Sequence, residues 1–217
     1  MSDFRIKTCV LGQVSTNCYL IYNEGTKEAV IVDPADNAAY ILNKCRELGI
    51  TPKAILLTHG HFDHILAAED IRRAFHCELY AGADEYAMLK DPSLNLSGTF
   101  DGDQIGLEAD YLARDGEVLE LCGYRFQVIF TPGHTAGSVC YWIESEGVLL
   151  SGDTLFEDSL GRTDLPTASS AAIVKSILER LFVLPEDTMV YPGHGDPTTI
   201  RHEKQYNPVA VYNRRRQ

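Results

Sequence analysis

Seven potential metal ligands follow directly after four short apolar segments of the chain. Residues 54–57 lead into the segment THGHFDH at positions 58–64, and three later segments end just before another histidine or aspartate. Short apolar segments bounded by glycine and proline predict buried strands, and ligands collect just past strand ends in α/β folds. The spacing therefore predicts that five of the seven histidines and two aspartates converge on one site. These candidate ligands are His59, His61, Asp63, His64, His134, Asp153 and His194.

The chemistry of this set points to a metal centre. Imidazole and carboxylate groups without a thiolate suit zinc, iron or manganese. His59 and His61 are two residues apart in an extended segment, so both side chains project to the same side and can hold one ion. Asp63 and His64 follow at a predicted helix start, where they can reach a second position. Seven ligands are too many for one tetrahedral ion, but two divalent ions that share a carboxylate would use them all.

The elements that position these residues follow from hydrophobic periodicity and turn residues. They predict an α/β (α+β) protein with a mixed sheet system, outer helices and one domain over residues 1–217. Asp36 is the predicted cap of the first helix, and residues 90–116 are a predicted surface loop. The predicted strands are 4–11, 17–22, 29–32, 54–57, 77–81, 118–121, 124–130, 138–143, 148–151 and 188–191, and the predicted helices are 36–48, 63–75, 84–89, 169–181 and 200–206.

Charge and composition narrow the function classes. A net charge of −12 argues against nucleic acid and anionic membranes as partners, because both require a basic surface. The first residues lack the apolar core of a secretory signal, and no apolar run is long enough to span a membrane. The six cysteines are scattered without a Cys-x-x-Cys pair, so reduced thiols and a cytoplasmic location are expected. The expected partner is a small-molecule substrate, and the oligomeric state stays open.

The ligand motifs together resemble those of the metallo-β-lactamase superfamily. The segment at 58–64 is similar to its His-x-His-x-Asp-His signature, and residues 131–138, 151–156 and 191–195 are similar to its later ligand motifs. The resemblance implies an αββα sandwich, two mixed sheets flanked by helices, with the site at the edge between the sheets. It also implies that His59, His61 and His134 bind a first metal, that Asp63, His64 and His194 bind a second, and that Asp153 bridges the two.

Three further segments resemble the glyoxalase II branch, whose members are hydroxyacylglutathione hydrolases: residues 16–19, 161–166 and 203–208. The chain stops soon after position 208, without the helical extension that carries most glutathione-binding residues in the long members. It therefore resembles the compact members of the branch. The predicted reaction is hydrolysis of a small thioester or ester by a water activated between two divalent ions, with zinc expected and iron or manganese as alternatives. Asp63 would orient this water. Arg162 would contact a substrate carboxylate or, as is more common for an arginine in a Gly-Arg-Thr-Asp turn, serve as a structural hydrogen-bond donor.

Other functions are compatible with the same motifs. Persulfide dioxygenases resemble this chain too, and would hold one ferrous ion through His59, His134 and Asp153. A β-lactamase is less favoured, because Asp153 stands at the position of its cysteine ligand. A nucleic-acid hydrolase is disfavoured by the negative charge, and a non-catalytic metal-binding protein is the remaining alternative.

Overall fold

Two six-stranded sheets pack face to face in the computed structural model, which describes residues 2–99 and 104–214. In the first sheet, neighbouring strands follow one another along the chain. The first two pairings are antiparallel and the last three are parallel. Its strands are β1 Phe4–Leu11, β2 Thr16–Asn23, β3 Glu28–Val32, β4 Thr51–Leu56, β5 Glu78–Gly82 and β6 Tyr111–Ala113.

The second sheet comes from the later part of the chain. Its strands are β7 Val118–Leu121, β8 Tyr124–Phe130, β9 Val139–Ile143, β10 Val148–Gly152, β13 Met189–Pro192 and β14 Thr198–Thr199, and a separate hairpin is formed by β11 Leu155–Phe156 and β12 Ser159–Leu160. The strand order is β14-β13-β10-β9-β8-β7, in which only the β10–β13 pairing is parallel.

Helices cover the outer face of each sheet. The α-helices are α1 Ala38–Leu48, α2 Phe62–Ile65, α3 Ala68–Phe75, α4 Tyr86–Lys90, α5 Ser170–Ser176, α6 Ile200–Tyr206 and α7 Pro208–Arg214, and a π-helical turn at Ile177–Leu181 continues α5. Apolar residues of α1 and α3 pack on the first sheet, and those of α5, α6 and α7 pack on the second. The predicted αββα sandwich of two mixed sheets flanked by helices is confirmed.

Alternation along the strands builds these layers. Successive strand residues point to opposite faces of a sheet. Leu20 of β2 therefore packs with Ile41 of α1, whereas its neighbour Tyr19 packs between the two sheets. In the same way, Ile55 of β4 packs on the helix side of the sheet and Leu56 packs between the two sheets. Because both faces are covered, these strands are continuous apolar runs in the sequence.

The predicted helix over residues 63–75 is wrong as a single element. The structure has α2 and α3 instead, separated by Leu66 and Ala67. The Ala67 N–H donates to the carbonyl oxygen of Pro34 at 3.0 Å, a long-range contact that the local pattern does not reveal. The short helix α2 therefore carries Asp63 and His64 on its own.

The predicted cap of the first helix is wrong by one residue. Asn37, not Asp36, is the N-cap, and its side-chain oxygen accepts a hydrogen bond from the Tyr40 N–H at 3.1 Å. The backbone of Asn37 is left-handed, with φ of 52°, a conformation that asparagine tolerates well. At the other end, Gly49 terminates the helix with φ of 66°, as expected for a glycine stop.

The predicted loop over residues 90–116 is wrong in part. Its later portion forms β6, which pairs in parallel with β5 and completes the first sheet. A three-residue strand is too short for alternation to be visible in the sequence. Residues 100–103 of this segment lie outside the described part of the chain.

Two expectations about the whole chain can be compared with the structure. The six cysteines are free thiols, as predicted. Within the described ranges, no helix combines the length and apolar character needed to cross a bilayer. The single domain and the cytoplasmic location stay predictions.

Candidate metal centre

Strands of both sheets deliver the seven candidate ligands to one place. The segment after β4 carries His59 and His61, and α2 carries the next two ligands. His134 follows β8, whereas Asp153 and His194 follow β10 and β13. Because β10 and β13 are parallel neighbours with Gly152 opposite Pro192, the residues just beyond their ends lie side by side.

The seven side chains form two groups of three with one carboxylate between them. Ligand atoms of His59, His61 and His134 lie within 4.8 Å of one another, and those of Asp63, His64 and His194 do so as well. His61 Nδ1 is 2.9 Å from His134 Nε2 in the first group. In the second group, His194 Nε2 is 3.3 Å from Asp63 Oδ2.

Asp153 faces both groups. Its Oδ2 lies 3.5 Å from Nε2 of His134 and 3.5 Å from Nε2 of His194, whereas its Oδ1 lies 3.4 Å from His64 Nε2. Gly193 makes this approach possible, because a Cβ at that position would stand 2.1 Å from the Asp153 carboxylate. One carboxylate can thus serve ions held by either group.

Several inward-facing atoms of this centre lack a protein partner. His59 Nε2, His64 Nε2 and Asp153 Oδ1 are buried and accept or donate no hydrogen bond among the described residues. Buried polar atoms are normally paired, so three such atoms around one point indicate a missing ligand. Imidazole nitrogens and a carboxylate oxygen fit a divalent cation.

A second layer of hydrogen bonds orients the histidines. The Nδ1–H of His64 donates to Asp33 Oδ2 at 3.0 Å, and the Nδ1–H of His134 donates to the Arg162 carbonyl oxygen at 2.9 Å. Both contacts leave Nε2 directed at the centre, which is the usual arrangement around a metal. Asp33 also accepts from the Thr58 amide and hydroxyl, at 2.8 Å and 2.7 Å. Its left-handed φ of 48° is strained, as is common beside functional sites.

Two further side chains hold ligand-bearing segments. The Thr16 hydroxyl donates to Asp63 Oδ2 at 2.8 Å. Glu85 is buried, and its carboxylate accepts from the Gly60 amide at 2.7 Å and from the Thr135 hydroxyl at 3.0 Å. Burial raises the pKa of Glu85 to about 7, against the opposing effect of these donors. Because Gly60 and Thr135 each adjoin a candidate ligand, Glu85 ties the two ligand segments together.

The electrostatics also fit a cation. Burial lowers the pKa of His59, and burial together with neighbouring His134 lowers the pKa of His61 to about 3. Burial would also lower the pKa of His194, but hydrogen bonds that its ring donates to Asp153 and Asp63 raise it to about 10. The lowered pKa values keep His59 and His61 neutral, as metal ligands must be, and the carboxylates that raise the pKa of His194 would equally attract a divalent ion.

A cavity of about 420 Å³ opens above the candidate ligands. Five of them form its floor: His61, Asp63, His134, Asp153 and His194. Six apolar side chains, which we call the apolar wall, surround this floor: Val14, Phe62, Leu96, Phe156, Leu160 and Leu165.

Arg162 also lines this cavity. Its guanidinium makes two hydrogen bonds to Asp164, at 2.7 Å and 2.8 Å, and its side chain is 63% exposed. Its main-chain carbonyl oxygen accepts the hydrogen bond that orients His134. The predicted contact of Arg162 with a substrate carboxylate stays a prediction, and the guanidinium has a partner already.

Another histidine–carboxylate group lies away from the centre and is formed by Asp158, His202 and Glu203. Glu203 is fully buried and accepts from the Asp158 amide, the Thr198 hydroxyl and the Asn207 amide at 2.7–3.3 Å. Its oxygens are satisfied by protein donors, so the group fixes the β11–β12 hairpin to α6 rather than forming a second centre.

Comparison with known proteins agrees with this geometry. Residues 11–194 match the sequence model of a family described as the metallo-beta-lactamase superfamily. The chain belongs to this superfamily. A relative named probable metallo-hydrolase YqgX, from Bacillus subtilis, is 37% identical over 91% of this chain and 93% of its own length. Hydroxyacylglutathione hydrolase GloC from Haemophilus influenzae is 34% identical over 88% of this chain and 91% of its own length.

Solved structures of superfamily members are similar as well. The BLEG-1 B3 metallo-beta-lactamase has a TM-score of 0.91 and 41% identity, covering 95% of this chain and all of that one. TTHA1623 in a di-iron-bound form has a TM-score of 0.81 and 35% identity, with 93% and 98% covered. ETHE1 from Myxococcus xanthus has a TM-score of 0.79 and 30% identity, with 95% and 85% covered. These solved structures thus share the fold of this chain over nearly its whole length.

Sequence reasoning identified the seven converging side chains but missed two that support them. Asp33 directly follows the apolar strand β3, so it carries the same strand-end signal as the candidate ligands. Glu85 lies in a 3₁₀ turn at Ala83–Glu85, and no local pattern distinguishes it from an exposed acidic residue.

Proposed function

We propose that this chain hydrolyses a small thioester, or a related ester, with two divalent ions in the described centre. The observation that carries the proposal is the convergence of two ligand groups on the Asp153 carboxylate. In this proposal, His59, His61 and His134 would hold the first ion, Asp63, His64 and His194 would hold the second, and Asp153 would be shared between them.

The protein groups have distinct roles in the reaction. A bound pair of divalent ions lowers the pKa of a water molecule toward neutrality and polarises a carbonyl group. Asp63, held by the Thr16 hydroxyl at 2.8 Å, orients the attacking water and accepts its hydrogen bond. Asp33 and the Arg162 carbonyl fix the imidazoles of His64 and His134. The apolar wall limits bulk water at the carbonyl, and a thiolate leaving group needs little proton donation.

The thioester assignment is supported by similarity and by the size of the cavity. GloC, the relative that is 34% identical, is named a hydroxyacylglutathione hydrolase, and its aligned region covers most of both chains. A cavity of about 420 Å³ suits a small-molecule substrate. Zinc is our proposed metal, because histidine and carboxylate ligands suit it. Iron and manganese fit the same ligands, and TTHA1623 has been solved with two irons.

A second candidate is a persulfide dioxygenase with one ferrous ion. It is favoured by the 30% identity to ETHE1, which is a persulfide dioxygenase. The required two-histidine, one-carboxylate set would be His59, His134 and Asp153, in which His134 Nε2 lies 3.5 Å from Asp153 Oδ2. The B3 metallo-beta-lactamase at 41% identity adds β-lactam hydrolysis as an activity to be measured beside the other two.

Metal content and substrate turnover test the proposal together. Protein purified from cells is analysed for metal per chain and assayed with lactoylglutathione, glutathione persulfide and a chromogenic cephalosporin. Two ions per chain with thioester cleavage supports the proposal, whereas one iron with oxygen uptake supports the dioxygenase. His76→Ala, a change at an exposed histidine outside the centre, is the matched control for His59→Ala.

A further inference from the structure

We propose that the acyl group of the substrate is short, uncharged and apolar, and that it is bound by the apolar wall. This inference rests on the proposed thioester hydrolysis. A cavity of about 420 Å³ lies at the lower end of the range for ligand sites. It can enclose one small part of a thioester above the ligands, while the larger thiol part extends through the open mouth.

The first observation is the scarcity of polar partners above the floor. Besides the candidate ligands, the polar residues among the described lining are Ser159 and Arg162. The Arg162 guanidinium is held by two hydrogen bonds to Asp164. A carboxylate on the acyl group would lose hydration at this wall and could gain only the neutral Ser159 hydroxyl as a donor, which is unfavourable.

The second observation is that the hairpin side of the apolar wall is rigidly built. Phe156 and Leu160 belong to the β11–β12 hairpin, whose Asp158 amide is bound by the buried Glu203 carboxylate. The same carboxylate accepts from Asn207, which also donates to the Ser159 carbonyl at 2.9 Å. A preorganised apolar surface binds an apolar group with less loss of conformational entropy.

Another part of the apolar wall comes from a residue with a strained backbone. Leu96 has a φ of 69°, a left-handed conformation that is unfavourable for leucine. Buried Asn95 enforces it: the side chain accepts from the Ser97 amide at 2.9 Å and donates to the Ile105 carbonyl at 2.7 Å, and the main-chain oxygen accepts from Phe62. Strain that is maintained beside a reactive centre indicates a functional position for the apolar side chain.

The test is a substrate series with a constant thiol. Acetyl, butyryl, pentanoyl and glutaryl thioesters of N-acetylcysteamine are assayed with the metal-loaded full chain, after subtraction of uncatalysed hydrolysis. Two additional buried methylene groups predict a kcat/KM for butyryl about tenfold above acetyl. Pentanoyl and glutaryl have the same chain length, so a kcat/KM for pentanoyl at least about tenfold above glutaryl is expected from the carboxylate alone.

Two variants test whether the apolar wall causes the preference for pentanoyl over glutaryl. Leu96→Asn introduces a polar residue that tolerates left-handed φ, so the turn should persist. Leu160→Asn changes the hairpin side. Each variant should reduce the ratio of kcat/KM for pentanoyl to kcat/KM for glutaryl at least threefold, with unchanged metal content. The control Val183→Asn, at a residue 70% exposed and outside the cavity, should leave this ratio unchanged.

Thioester turnover without preference for pentanoyl, or an unchanged ratio in both leucine variants, overturns this inference alone. Absence of turnover with every thioester overturns the proposed function and this inference together.

Discussion

At the scale of single residues, Asp153 is the group on which the proposed pair of ions depends most. Its two oxygens face histidines of both groups at 3.4–3.5 Å. Burial would raise its pKa, but the field of His64 and the hydrogen bond with His194 hold that pKa well below its usual range. Asp153 is therefore an ionised carboxylate between two sets of ligands, and it can reduce the repulsion between two cations.

We expect Asp153→Ala to lose both ions together, whereas His194→Ala mainly loses one. The reason is that a shared carboxylate supports two cations and a terminal histidine supports one. Elemental analysis of the purified variants measures the difference, with Asp164→Ala as a control at an exposed aspartate near the cavity. Full metal occupancy in Asp153→Ala would disprove the bridging role.

A second residue-scale prediction separates the two candidate reactions. His64 belongs to the second group of ligands and is absent from the triad of a single-iron dioxygenase. A two-metal hydrolase should lose at least about 100-fold in kcat in both His64→Ala and His134→Ala, because each ion contributes several kcal/mol of charge stabilisation. A dioxygenase should lose much more of its activity in His134→Ala than in His64→Ala. Thioester hydrolysis that persists in His64→Ala would argue against the use of two ions.

At the scale of elements, the centre depends on loops from opposite sheets being held together. Glu85, in the turn before α4, binds the Gly60 amide next to two candidate ligands and the Thr135 hydroxyl next to a third. The backbones of these two segments are also joined by the Val139 amide, which donates to the Thr58 carbonyl oxygen at 2.8 Å. Glu85 adds the side-chain link between Gly60 and Thr135.

We expect Glu85→Gln to weaken the first ion about 10- to 100-fold, as for other residues that orient metal ligands. The side-chain NH₂ of glutamine is a donor and would face the Gly60 amide or the Thr135 hydroxyl, which are donors too. One buried hydrogen bond is then lost, which lowers the free energy of unfolding by about 1–3 kcal/mol. Competition with a chromophoric chelator measures the affinity of each ion separately. Asp84→Asn, an exposed neighbour, serves as the control. Equal weakening of both ions would indicate a general loss of stability instead of a role at the first position.

The elements also show what the sequence could predict. The apolar strands and the ligands at their ends were predictable, because burial on both faces leaves a continuous apolar run before each ligand. The interruption between α2 and α3 was not, since it depends on the Ala67 contact with the distant Pro34 carbonyl. Strand β6 and the role of Glu85 likewise depend on long-range partners. Local patterns thus identified the candidate ligands, and tertiary contacts determined how those ligands are held.

At the scale of the whole molecule, the described residues provide no obvious site for a charged substrate handle. The net charge is −12, and Arg162, which lines the cavity, is paired with Asp164. Binding energy from remote substrate parts is what raises selectivity for a large substrate.

We therefore expect kcat/KM for lactoylglutathione to lie within about tenfold of that for a truncated lactoyl thioester, a difference under about 1.4 kcal/mol. Steady-state kinetics with both thioesters measure this ratio, and Arg162→Ala should change it little. A preference of about a thousandfold for the glutathione form would reveal a binding site for the handle, and Arg162→Ala would then show whether that residue forms it.

The most direct test of a two-ion thioester hydrolase is a metal titration of activity. The purified chain is stripped with a chelator, zinc is added in known equivalents, and the initial rate of thioester hydrolysis is measured after each addition. We expect the rate to rise until two equivalents per chain are bound and to stay constant beyond that point. A rate that already reaches its maximum at one equivalent, or a chain that binds two equivalents and hydrolyses no thioester, would contradict a two-ion thioester hydrolase.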